Sequence, residues 1–125
     1  MGTNYYLATT NKDVKERYFK NYSLTDEPIW AYEIHIAKIS GGCMPLFQAH
    51  DGAFNSYTEL RELATSGDFI LYNEDHQVLT WTEFDSIVQG WMNHKDELES
   101  HIGRGYRRGY YKDLNGYEFV REEFC

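Results

Sequence analysis

Within the run His35-Ile-Ala-Lys-Ile-Ser-Gly-Gly42, a histidine, a lysine and a serine fall inside six residues and two glycines follow. Those types could build a pocket for an anion or a nucleotide. Lys38 brings charge, Ser40 a hydroxyl, and Gly41 and Gly42 would let backbone N–H groups approach the ligand. Ile34, Ile36 and Ile39 give the run the β-branched character of a strand entering a tight turn. Strict alternation puts Lys38 and Ser40 on the face opposite His35, so gathering all three requires a bulge or a twist. The plainer alternative is a half-exposed strand whose His35 and Lys38 face different ways and are held by ordinary hydrogen bonds.

Other residues suggest weaker chemistry. His35, Cys43, His50 and His76 are nitrogen and sulfur ligands of the kind zinc takes, but their spacings match no ribbon or finger, and no metal site is assigned. A Cys43–His nucleophile pair would need a base within hydrogen-bond reach. Gly103-Arg-Gly-Tyr-Arg-Arg-Gly-Tyr-Tyr-Lys112 is the one basic stretch. Its Arg104, Arg107 and Arg108 beside tyrosines could clamp a phosphate or stack a base of a nucleotide or short oligonucleotide. The alternative is a glycine-rich loop whose arginines pair with carboxylates of this chain or of a partner.

The elements that must position these groups are legible in part. Thr3–Thr9 reads as a first strand, Asn11 could cap a short helix through Lys20, and Asn21–Pro28 is turn-like. Trp30–Ile36 alternates, Gly41-Gly42 allows a reversal, and Met44–His50 reads as the returning strand of a hairpin. Ser56 and Glu59 form a capping-box pattern ahead of Tyr57, Leu60, Leu63 and Ala64 at helical spacing, with Gly67 where the helix should stop. Asp68–Tyr72 and Gln77–Leu79 flank a turn at Asn73–Asp75. A second box, Thr80 and Glu83, opens the clearest helix, with Phe84, Ile87, Val88 and Trp91 as its apolar stripe. Lys95–His101 could extend it. Tyr110–Lys112 and Tyr117–Val120 close the chain as a small hairpin around Asn115-Gly116. The expected architecture is α+β: a single compact domain spanning 1–125, with an antiparallel sheet of short hairpins packed by two or three amphipathic helices.

Composition narrows the classes. The 125 residues suffice for one ordinary core, and aromatics supply 17% of them, with 11 tyrosines. The net charge is −8. Without the four positive charges of the basic loop the remainder carries −12, which repels a long nucleic acid. Such acidity suits docking onto a basic protein surface, or simple colloidal stability. The exposed-looking acids Glu59, Glu62, Asp96, Glu97 and Glu99 belong to that surface. No leader-like opening and no apolar run of membrane length occurs, so a cytoplasmic, non-membrane protein is expected. Cys43 and Cys125 are then expected as reduced thiols.

The opening Met1-Gly-Thr-Asn-Tyr-Tyr6, the His35–Ser40 run with its following glycine, and Phe47 in the next strand resemble a family of small bacteriophage and prophage proteins. Many of these open with the same six residues and carry His-Ile-Gly-Lys-Ser-Ser, then a small residue, Gly and Trp. The Ser56-Tyr57 helix start and Asn115-Gly116-Tyr117-Glu118-Phe119 are similar as well, so the resemblance spans most of the chain. Two departures stand out. Where many relatives carry a Cys-x-x-Cys pair suggestive of a metal ribbon, Asn11–Tyr18 has no cysteine, and Cys43-Met44 replaces the usual tryptophan.

The resemblance implies an accessory protein in the cytoplasm of an infected bacterium, non-enzymatic, that binds a host macromolecule, foremost a host protein, with host defence enzymes among the candidates. No cofactor is expected, and a homodimer is compatible with the tyrosine-rich composition. The other expectation is a small-ligand or nucleotide-anion binder, or an enzyme, built on His35, Lys38, Ser40, Gly41 and Gly42 with Arg104, Arg107 or Arg108.

Overall fold

The structure, a computed structural model, describes residues 2–9, 32–50, 52–102 and 109–121. In chain order the elements are β1 (Gly2–Thr9), β2 (Tyr32–Ser40), β3 (Leu46–Gln48), α1 (Tyr57–Ala64), β4 (Ile70–Asn73), β5 (Val78–Leu79), α2 (Trp81–Met92), β6 (Tyr110–Lys112) and β7 (Glu118–Val120). The strands form one seven-stranded sheet in the order β5-β4-β1-β2-β3-β7-β6. The fold class is α+β. The segments expected as a helix at Asn11–Lys20 and a turn at Asn21–Pro28 lie outside the described residues, as do Arg104, Arg107, Arg108 and Cys125.

The sheet is mixed, which corrects the expectation of an antiparallel one. β3 and β7 run parallel, with Leu46 opposite Glu118, Phe47 opposite Phe119 and Gln48 opposite Val120. All other pairs are antiparallel. Hairpins announce themselves through their turns. A parallel pair closed after about seventy intervening residues has no local signal, because it is selected by long-range contacts such as Phe47 on Phe119 and the Ala49 N–H on the Val120 carbonyl.

A β-bulge in β2 decides which residues share a face. Tyr5 lies opposite Ala37 but Tyr6 lies opposite His35, so Ile36 is the extra residue. Ile36 and Ala37, adjacent in sequence, are therefore both fully buried. Beyond the bulge the alternation is inverted, and Lys38 and Ser40 fall on the same face as His35. Bulging frees backbone groups, and His50 deals with one of them. Its Nε2 donates to the His35 carbonyl at 2.8 Å. Because a carbonyl only accepts, that bond fixes the proton on Nε2.

Both helices pack on one face of the sheet. Phe84 and Val88 of α2 and Leu60 and Leu63 of α1 are buried in one cluster with Tyr5, Leu7, Ile34, Phe47 and Phe119. Tyr5 meets Phe84 edge-on at 5.0 Å, and Phe47 meets Tyr57 edge-on at 5.3 Å. Each such buried side chain contributes roughly 1.5–3 kcal/mol. Ile87, expected on the buried stripe of α2, is instead exposed, because the side the helix buries is centred on Phe84 and Val88.

Capping sets where the helices begin. Thr80 and Glu83 make the full reciprocal box. At α1, Ser56 accepts from the Glu59 N–H, but the Glu59 carboxylate reaches the Asn55 N–H and the Ser56 hydroxyl rather than the Ser56 N–H. The expected helical extension through His101 shrinks to one 3-10 turn at Lys95–Glu97. The chain then goes extended because Glu99 pairs with the Gly41-Gly42 turn. The Glu99 N–H donates to the Gly42 carbonyl at 2.8 Å, and the Met44 N–H donates to the Glu99 carbonyl at 3.0 Å.

One buried carboxylate secures this returning segment over the other face of the sheet. Glu118 is 0% exposed. It accepts from the Ser100 hydroxyl at 2.5 Å and from the His101 N–H at 2.8 Å. The His101 ring in turn donates from Nε2 to the Met44 carbonyl at 2.8 Å. Removing the carboxylate leaves those donors unsatisfied, so Glu118→Ala should destabilise the fold by about 3 kcal/mol. Amide hydrogen exchange at Ser100–Ile102 should accelerate beyond the change seen in α2; equal protection in the variant would refute the clamp.

Candidate functional site

The bulge brings His35, Lys38 and Ser40 onto one face, yet they do not converge. The His35 ring turns along the sheet and stacks on Tyr6 at 5.0 Å. Lys38 and Ser40 gather over Gly2, where a Cβ would stand 2.4 Å from the Ser40 Oγ and 3.1 Å from the Lys38 Cε. Glycine at position 2 is thus a condition of that packing. Gly42 is needed for its φ of +82°, and nothing lies within 4 Å of its would-be Cβ. Its carbonyl is taken up by Glu99, so the turn acts as an anchor.

On the same face, rings form a ladder across three strands. Tyr6 stacks on Tyr72 at 5.6 Å, and Tyr72 on His76 at 5.9 Å. The Tyr72 hydroxyl donates to Glu33. Burial raises the Glu33 pKa above the ordinary carboxylate value, with nearby His76 pulling the other way. Burial, then Glu33 and Glu74, raises that of Tyr6. The candidate metal ligands are dispersed: His50 serves the bulge, His76 ends the ladder, and Cys43 follows the glycine turn. Among the described residues no three metal-ligating side chains come together.

A concavity among the described residues lies on the opposite, helical side. A cleft of about 290 Å³ opens where α1, α2 and the β6–β7 turn meet. Tyr57, Trp81 and Tyr117 supply its rings, and Asp85, Gln89 and Arg61 its principal polar groups. Tyr57 and Tyr117 stack at 4.0 Å, and Trp81 tilts against Tyr57 at 5.2 Å. The Tyr57 hydroxyl donates to Asp85 Oδ1 at 2.7 Å, and Gln89 Nε2 donates to the same oxygen at 3.2 Å and to the Tyr117 hydroxyl at 2.6 Å. Asp85 Oδ2 carries no hydrogen bond among the described residues. Burial first, then the hydrogen bond and charge of Asp85, drives the Tyr57 pKa far above its ordinary value, so the phenol stays a donor.

A turn holds the cleft's outer wall. The Asp113 carboxylate accepts from the Asn115 and Tyr117 N–H groups, both at 2.9 Å, and from the Tyr57 N–H at the start of α1 at 2.8 Å. The hairpin expected around Asn115-Gly116 thus turns through Asp113–Gly116, with Gly116 at φ +88°. Leu114, in the middle of that turn, is fully exposed, at 105%. Tyr111 adds a brace through its hydroxyl, which donates to the Asn55 carbonyl at 2.6 Å.

No family model, curated protein or solved structure matches this chain. The site is therefore read from its geometry. Sequence reasoning missed the cleft because its residues come from three separate segments. The available signal was modest: a tyrosine and a tryptophan at the first positions of two capped helices.

The raised Glu33 pKa has a signed consequence. The folded chain binds this proton more tightly than the unfolded chain, whose glutamate titrates near 4.5. The associated stability is complete below that value and is lost as the pH rises through the folded pKa. Glu33→Gln removes the titration. Between about pH 4 and pH 7 the thermal midpoint should fall less in the variant than in the wild type; identical slopes would exclude the assignment.

Proposed function

We propose that the protein is a non-enzymatic binding protein that docks, through the cleft rim and the β6–β7 turn, onto a basic protein surface of a bacterial host. The observation that carries this reading is Leu114, fully exposed on a turn immobilised by Asp113. An apolar side chain held rigidly beside a polar, ring-lined cleft is the anatomy of an interface anchor with its rim. Glu59 and Glu62 on α1 and Glu83 on α2 are exposed, and the chain's −8 charge would steer a basic partner. Tyr57, whose pKa burial drives far above its ordinary value, is suited to donate a hydrogen bond rather than to exchange a proton.

The resemblance to phage proteins supplies the bacterial host. No helix among the described residues is long and apolar enough to cross a membrane. The immobilised protein should retain a specific partner from bacterial lysate at low salt and release it as salt rises. Leu114→Asp should abolish retention while leaving stability within about 0.5 kcal/mol. Retention of the same proteins by wild type and variant would overturn the reading.

A second reading, an anion or nucleotide site on His35, Lys38 and Ser40, draws support from the bulge that sets all three on one face. It predicts a thermal shift with some member of a nucleotide and cyclic-nucleotide panel that Lys38→Ala removes. Silence across the panel counts against it.

A further inference from the structure

The cleft's chemistry points beyond a generic docking surface to one kind of group. Its volume of about 290 Å³ falls just under the roughly 300–1,000 Å³ typical of sites for drug-sized ligands, so it suits a single side chain. Three rings line it, and ring faces attract cations. Its carboxylate presents one oxygen to an occupant, because Tyr57 and Gln89 both bond Asp85 Oδ1 and no described residue donates to Oδ2. Tyr57 and Gln89 also hold that carboxylate in a set orientation, and the rings beside it favour a planar guanidinium, which stacks on aromatic faces, over an ammonium.

We propose that the cleft receives the guanidinium of one arginine side chain of the docking partner, set against the partly exposed rings of Trp81 and Tyr117 and bonded to Asp85 Oδ2. This rests on the docking reading above and specifies the contact at its centre. Arg61, exposed on the cleft wall, sharpens the inference. With a cationic occupant it is a competitor for the same carboxylate and repels the incoming charge. With an anionic occupant it would be the principal ligand. Its removal therefore has opposite effects in the two cases.

The test uses isotope-labelled full-length protein at low ionic strength, titrated with N-acetyl-arginine amide, while the Trp81 indole N–H and Gln89 side-chain amide signals are followed by NMR. The expected result is a saturating shift at both. The neutral isostere N-acetyl-citrulline amide should give none. Asp85→Asn, which keeps an oxygen for the Tyr57 hydroxyl, should weaken arginine binding at least about tenfold. Arg61→Ala should tighten it.

An absent shift, equal shifts with citrulline, or unchanged affinity in Asp85→Asn would overturn the proposal. So would a shift with inorganic phosphate that Arg61→Ala abolishes. The docking reading fails separately. If wild type and Asp85→Asn retain the lysate partner equally, docking stands and the arginine contact falls. If arginine titrates the cleft but no partner is retained, the cationic site stands and docking falls.

Discussion

One extra residue in a central strand governs this fold. Side chains along a strand alternate with a period of two, so a single insertion inverts everything beyond it. At Ile36 the insertion lets two adjacent residues, Ile36 and Ala37, both enter the core. It also sends Lys38 and Ser40 to the face that His35 occupies. The cost is a disturbed ladder, and the His50 ring meets part of it by donating to the His35 carbonyl. The histidine that looked like a metal ligand in the sequence is therefore part of the bulge's hydrogen bonding.

The two faces of the sheet carry different work. One is dry beneath the helices and keeps its polar groups at the rim, where Asp113 joins the β6–β7 turn to the first residue of α1. That junction creates the cleft, because it fixes the spacing between Tyr117 and the helix that carries Tyr57. The other face keeps polar groups inside but satisfied: Glu118 under Ser100 and His101, and Glu33 under Tyr72. A buried carboxylate such as Glu118 is tolerable only when bonded, and the partly buried Glu33 is bonded too. Each ties together segments distant in the chain.

Much of the local structure was legible. Both capped helices start where Ser56 and Thr80 indicate, and the strand at Thr3–Thr9 and the last hairpin lie where their patterns place them. These signals are local: a cap bonds within three residues, and a hairpin turn fixes its own neighbours. The parallel β3–β7 pairing and the early end of α2 were not legible. Each depends on partners from far along the chain, Phe119 for Phe47 and Gly42 for Glu99.

The candidate site divides in the same way. By itself the sequence determined that His35, Lys38 and Ser40 sit on a strand beside a glycine turn, that grouping them needs a bulge, and that the chain is strongly acidic. Tertiary structure alone decided that the bulge exists, that the three residues share a face without converging, and that a ring-lined cleft lies on the other side. The reason is physical. Propensity, capping and charge are properties of a residue and its near neighbours. A face, a cavity and the orientation of Asp85 are properties of surfaces brought together, and those are set by long-range packing.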